Sequence, residues 1–268
     1  GDKPFFIALG LQKPHVPFLA PDKYFDLYPF EKITYETDRP NMWDFLPQSA
    51  LSKRYEAFGF EFAKENHALR KEYIQAYHAC VSFIDAQLGL VLDGLKKNGL
   101  WDETVIIFTS DHGYHLGDHF IWGKVTLFDI GAKVPFIVRA PGLTKPGTSS
   151  EAMVELIDIY PTLTDLAGLQ APDHLQGVSL RPLFENSERR GKKKYAYSVV
   201  TRGPKNLGYA LRNQNWRYGK WPDGEELYNL RNDPQEKNNL AQKDHIKERL
   251  EEFRSILQEK QKLIEKSN

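Results

Sequence analysis

The 268 residues include one cysteine, Cys80, which excludes an intrachain disulfide framework. There is no excess of either charge. With 36 Lys and Arg against 36 Asp and Glu, no whole-chain field draws the molecule onto nucleic acid or an anionic membrane, and any electrostatic function is local. No run of about 18 apolar residues occurs, so no membrane-spanning helix is expected. No asparagine stands in an Asn-x-Ser/Thr triplet, which removes one support for a glycosylated secretory protein. Neither an initiator Met nor a signal peptide precedes the first apolar segment, residues 5–10. That segment reads as a buried strand, and the chain is expected to open inside a domain. What is present is ordinary for a globular protein: 41% hydrophobic, 27% charged and 13% aromatic residues, enough for one large domain with a small companion.

A proline- and aromatic-rich stretch follows, from Lys13-Pro14-His15-Val16-Pro17-Phe18 through Pro47, and so long an irregular stretch lines a cleft or carries function. From Leu69, the residues Tyr73, Tyr77, Val81, Ile84, Leu88, Val91 and Leu95 recur at three or four positions, which predicts a long helix ending at Asn98-Gly99. Residues 104–109 are β-branched and apolar on both faces, as in a central parallel strand covered by helices, and residues 134–138 repeat the pattern. A helix from Tyr160 to Ala167, with Asp158 as cap and Pro161 in its first turn, completes a doubly wound α/β arrangement. Beyond Arg181 the texture changes to short antiparallel strands near 195–200, 209–212, 216–221 and 226–230, then an amphipathic helix on Ile246, Leu250, Phe253, Leu257 and Ile264. The basic run at 189–194 reads as a solvated loop, not a nucleic-acid patch. The domains are placed at 1–185 and 186–268.

The densest chemistry lies in Ser110-Asp111-His112-Gly113-Tyr114-His115-Leu116-Gly117-Asp118-His119, followed by Trp122-Gly123-Lys124. In open α/β sheets the ligand crevice lies at the carboxyl ends of strands, which is where Asp111 and His112 fall. Carboxylates suit Ca²⁺ or Mg²⁺ and imidazoles suit Zn²⁺, so the mixture leaves the metal open. A carboxylate ending an apolar strand needs something positive beside it, whereas His115 and His119 read equally as histidines that cap turns or satisfy buried carbonyls. Lys124 suits an anionic substrate oxygen, and His15, following the first strand as Asp111 follows the second, suits general-acid work.

This cluster, with Leu127-Phe128-Asp129, resembles the sulfatases, most closely their iduronate-2-sulfatase-like branch. Lys13-Pro14-His15-Val16-Pro17-Phe18, Val134-Pro135-Phe136 to Ala140-Pro141-Gly142, Asp158-Ile159-Tyr160-Pro161-Thr162-Leu163 and Gly177-Val178-Ser179-Leu180 resemble further blocks of that family. So does the closing signature, Glu226-Leu227-Tyr228-Asn229-Leu230 with Asp233-Pro234-Gln235-Glu236 and Asn239-Leu240. The resemblance implies the C-terminal part of an alkaline-phosphatase-like, doubly wound α/β fold with a small antiparallel β plus helix subdomain. It implies hydrolysis of sulfate esters on a sulfated carbohydrate such as a glycosaminoglycan uronate, with Ca²⁺ in preference to Mg²⁺. It implies Asp111 and His112 at the metal, and Lys124, His15 and His115 at the substrate. The location it implies is periplasmic, extracellular or lysosome-like.

Two departures carry weight. The family's nucleophile is a formylglycine made from cysteine in a Cys-x-Pro-x-Arg type motif, yet Cys80 stands in His78-Ala79-Cys80-Val81-Ser82-Phe83. The nucleophile and the paired Asp ligands are therefore expected on an N-terminal part of the same enzyme, the partner this chain implies, and the chain by itself is expected to be inactive. Phe120 stands where relatives carry Gly. A phosphodiesterase or phosphonate hydrolase of the same superfamily, a non-catalytic module binding anionic glycan, and a transition-metal binder built on His112, His115 and His119 remain alternatives.

Overall fold

The computed structural model describes residues 3–36, 43–51, 56–57, 59–62, 66–203 and 206–266. They form two units. One comprises Gly1–Asp38, Tyr55–Glu103 and Leu116–Trp122; the other comprises Arg39–Arg54, Thr104–His115 and Gly123–Asn268.

The first unit is organised by the helix His67–Lys97, which ends as its sequence dictates: lysines in the last turn suit the helix dipole, and Gly99 follows at φ +69°. Tyr73, Ile74, Ala79 and Cys80 form its buried stripe. The proline-rich loop lies along this helix. Phe18 meets Tyr73 and Tyr77 edge-on at 4.7 and 5.7 Å, Gln75 Nε2 donates to the Tyr28 carbonyl at 2.7 Å, and the Tyr28 hydroxyl pairs with Ser82 at 2.6 Å. Buried Arg70 ties the helix to the Phe62 carbonyl, and Trp122 stacks on Phe62 with ring centroids 4.4 Å apart. By length and composition alone this helix is long and apolar enough to cross a membrane, although it contains no uninterrupted apolar run of that length. Gln75, His78, Ser82 and Asp85 break the run without making the segment polar on average.

Residues 5–10, expected as a buried strand, have no regular secondary structure and are exposed, and they pair with no strand among the described residues; Phe6 is 77% exposed and Ile7 70%. The β-forming side chains are there, but the neighbours that would bury them are not among the described residues. A second correction concerns strand direction. Ile106–Thr109 pairs antiparallel with Phe136–Arg139, Ile106 opposite Arg139 and Thr109 opposite Phe136. Side chains apolar on both faces report that both faces are built for burial, and say nothing of direction. Burial too is incomplete, with Ile137 62% exposed.

The second unit's main sheet is an antiparallel meander of Ala196–Thr201, Leu207–Arg212, Trp216–Trp221 and Gly224–Asn229, each strand beside its sequence neighbour. The four expected strands are all present. The period-2 alternation gives the sheet two different jobs. Leu211, Tyr218 and Leu227 stand in one cross-strand row and take Leu250, Phe253 and Leu257 of the helix Lys247–Lys266, each buried side chain contributing roughly 1.5–3 kcal/mol. The opposite face carries Ala210, Arg217, Trp221, Glu226 and Tyr228. Ala210 and Trp221 pack there with Ala50 and Leu127, and Gly208 is glycine because a Cβ would run into the Trp221 ring. That second face brings residues 124–129 against the sheet.

Candidate functional site

The expected cap Asp158 is fully buried at the start of the helix Ile159–Leu166, but its carboxylate serves the surroundings. It accepts from the Glu155 and Val178 amides at 2.9 Å each and from Lys193 Nζ at 2.6 Å. It is a brace, not a reacting group.

Asp111 and His112 directly follow the strand Ile106–Thr109. The Asp111 side chain is 83% exposed; its Oδ1 accepts the His112 amide at 2.9 Å, and its Oδ2 lies 3.4 Å from His112 Nε2. His112 Nδ1 faces the Gly113 carbonyl at 2.9 Å. A carbonyl only accepts, so in the neutral imidazole Nδ1 carries the proton and Nε2 presents its lone pair towards the carboxylate. Two lone-pair atoms facing each other call for a proton or a cation between them. Their spacing is that of adjacent ligands about 2.4 Å from one hard cation. The Asp111 carboxylate suits Ca²⁺ or Mg²⁺ and the His112 imidazole suits a softer metal, so the pair amounts to a part of a ligand set, and no cluster of three or more His, Cys, Asp or Glu occurs among the described residues.

The Asp111 segment is tied to the Lys124 segment. The Gly113 amide donates to the Gly131 carbonyl at 2.9 Å, and a Cβ at Gly113 would overlap the Ile130 carbonyl oxygen. Lys124 is half-buried between Gly123 at φ +133° and Val125 at φ +68°. A β-branched residue in the left-handed region is strained. His115, expected at the substrate, is fully buried, with its Nε2 2.7 Å from Thr126 Oγ1 and its ring edge-on to Phe128. His119 is also buried, at φ +55°, and Phe120 beside it takes φ +56°, the conformation for which a glycine would be the unstrained choice.

In the first unit His15 is exposed between two cis X-Pro bonds. Its Nδ1 faces the Val16 carbonyl at 2.9 Å, and Lys13 Nζ spans the carbonyls of His15 and Pro17. Cys80 is fully buried in its helix, and burial pushes its thiol pKa up, so it has none of the character of an activated nucleophile.

Sequence reasoning missed the support beneath Lys124. Asp129, four residues after Val125, receives Arg212 on its carboxylate at 3.1 Å, and its amide donates to Glu236 Oε2 at 2.6 Å. Glu236 in turn pairs with Arg217, which bonds Glu226 at 2.9 Å and lies between the rings of Phe128 and Tyr228. The available signal was register: Arg217 sits one position from the row of Tyr218 and so points to the face opposite the C-terminal helix.

The closing signature is equally physical. Asp233 accepts the amides of Lys237 and Asn238, and Asn239 bonds the Leu227 amide and the carbonyls of Glu225 and Phe45.

A sulfatase family model matches residues 1–169, and a model for the C-terminal part of N-sulphoglucosamine sulphohydrolase matches residues 117–263. A sulfatase of Formosa agariphila is 38% identical over 95% of this chain and 50% of its own length, and human iduronate 2-sulfatase is 30% identical over 88% and 58%. This chain thus spans about half the length of the curated relatives it matches. Among solved structures, phosphonate monoester hydrolase from Silicibacter pomeroyi superposes with a TM-score of 0.80 at 26% identity, covering 93% of this chain and 54% of the other. A protein in complex with its substrate D-glucosamine-2-N,6-O-disulfate superposes with a TM-score of 0.70 at 31% identity, covering 74% and 43%. The fold class expected from the sequence, alkaline-phosphatase-like α/β, is that of these neighbours, and the chain belongs to the sulfatase family.

Proposed function

We propose that the protein containing this chain hydrolyses sulfate esters of carbohydrate, and that these residues supply the C-terminal half of its active site. The observation that carries the reading is the pairing of Asp111 Oδ2 with His112 Nε2 at a strand end, linked through Gly113 and Gly131 to a strained turn presenting Lys124. Asp111 and His112 would hold part of a Ca²⁺ site, and that ion would supply positive charge to the ester's oxygens. Lys124 binds a sulfate oxygen and offsets the charge that concentrates there as the S–O bond to the sugar breaks. His15, fixed through Nδ1, gives a proton from Nε2 to the departing alkoxide, which leaves as the alcohol. His115 acts from behind, holding Thr126. The formylglycine nucleophile is assigned to a residue outside these 268, since Cys80 is buried. A glycosaminoglycan-type substrate is supported by the iduronate 2-sulfatase and disulfated glucosamine relatives, and the same family points to a periplasmic, extracellular or lysosome-like compartment.

The test is steady-state kinetics of the full-length protein on 4-nitrophenyl sulfate and on sulfated uronate disaccharides. Lys124→Ala and Asp111→Ala each lower kcat/KM by ~10²-fold or more, and near-wild-type values for both would refute the site. Phosphonate monoester hydrolysis is the second reading, favoured by the TM-score of 0.80 with such an enzyme. A kcat/KM for phenyl phosphonate monoester above that for the sulfate would select it. Binding of the sulfated sugar without turnover would select a non-catalytic module.

A further inference from the structure

Val125 places its backbone where a β-branched side chain is rarely found, at φ +68°, immediately after the lysine assigned to the sulfate. Strain of this kind, on the order of 1–3 kcal/mol, persists only where the surroundings over-determine it. Two side chains from elsewhere in the same unit grip the turn. His115 holds Thr126 Oγ1, as described. The other is Arg202, which the sequence reading passed over. Its Nη2 donates to the Val125 carbonyl at 2.7 Å and to the Ala50 carbonyl at 3.0 Å, while its guanidinium lies 5.4 Å from the centre of the Trp221 ring. Ala50 and Trp221 are both buried, so the guanidinium is anchored to the core on two sides and to the strained peptide on the third.

We infer that Arg202 is a positioning residue for Lys124. By bonding the Val125 carbonyl it keeps the turn in its strained conformation, and that conformation sets the direction of the Lys124 ammonium. Lysine at position 202 would retain the charge and lose the flat guanidinium that lies over Trp221 while its Nη2 bonds both carbonyls. The inference rests on the assignment of Lys124 to the sulfate, and the test separates the two.

The experiment is a double-mutant cycle in the full-length protein, with Arg202→Ala, Lys124→Ala and the pair assayed on 4-nitrophenyl sulfate, alongside hydrogen exchange of peptides covering residues 123–128. Arg202→Ala is expected to lower kcat/KM 10- to 100-fold when Lys124 is present and by less than 3-fold when it is absent, because a residue acting through another has no effect once that other is gone. Exchange at 123–128 is expected to accelerate. Equal losses in both backgrounds would mean a general structural role and overturn the inference, as would unchanged exchange. Accelerated exchange with a Lys124→Ala variant of wild-type activity would retain the clamp and refute the function assigned to Lys124. Should Arg202→Ala fail to fold, Val125→Gly provides the second route. Glycine removes the strain, so Arg202→Lys is expected to cost 10-fold or more with valine at 125 and less than 3-fold with glycine there. The same loss in both would again overturn the proposal.

Discussion

Glu236 combines three unusual properties: it is buried, it takes φ +55°, and its two carboxylate oxygens serve different elements, one the Asp129 amide and the other Arg217. Burial pushes its pKa up against the pull of Arg217, while Glu236 and Glu226 outweigh the burial of Arg217 and hold the guanidinium charged. Removing the cation would leave two carboxylates in a dry interior. Arg217→Met is therefore expected to cost about 3–5 kcal/mol in urea unfolding, and a loss below about 1 kcal/mol would contradict this account. Glu225, on the other sheet face, behaves in the opposite sense. The Arg254 hydrogen bond draws its pKa down from 4.5 to about 2, against partial burial and with help from Tyr218. A depressed carboxyl stabilises the fold above its unfolded pKa, and that stability is lost as pH falls from about 4.5 towards 2. Glu225→Gln should flatten the fall of thermal midpoint across that interval, and an unchanged slope would show that the pair contributes nothing.

Among the elements, the helix His67–Lys97 and the loop it carries depend on aromatic packing around Phe62, Tyr73 and Trp122. Trp122→Ala is expected to destabilise by about 3–5 kcal/mol, read by chemical denaturation, because stacked and edge-on partners lose their contacts together. Element type and order were legible for the long helix and for the second unit's sheet, but not at residues 5–10, where the expected strand is absent. The long helix ends where Asn98-Gly99 and the terminal lysines indicate, and the four meander strands fall where alternation and turn residues put them. Strand direction was not legible, because an apolar pattern carries no polarity. Nor was the burial of residues 5–10, which depends on what lies against them. At the site, Asp111, His112 and Lys124 stood out because acids, imidazoles and a lysine crowd one strand end. Arg202 and Arg217 did not, since their roles arise only when residues 77 and 19 positions away are brought to them.

For the molecule as a whole, the uncovered apolar residues matter most. Phe5, Phe6, Ile7 and Leu9 on one segment, Leu90 and Val91 on the long helix and Ile137 on a strand are all exposed. Surfaces of this kind mark interfaces or aggregation sites. Expressed as these 268 residues, the chain is expected to bind a hydrophobic dye and to self-associate at micromolar concentration by light scattering. A monodisperse, dye-silent monomer would contradict this expectation. The restraints on the Lys124 turn also have a direction in time. The acceptor for the Asp129 amide lies 107 residues downstream, an interval of about 5–20 s at ordinary rates of synthesis. Throughout that interval a nascent chain lacks the Asp129 anchor of this turn, so any chain terminated before Glu236 would emerge with the signature residues present and that restraint missing.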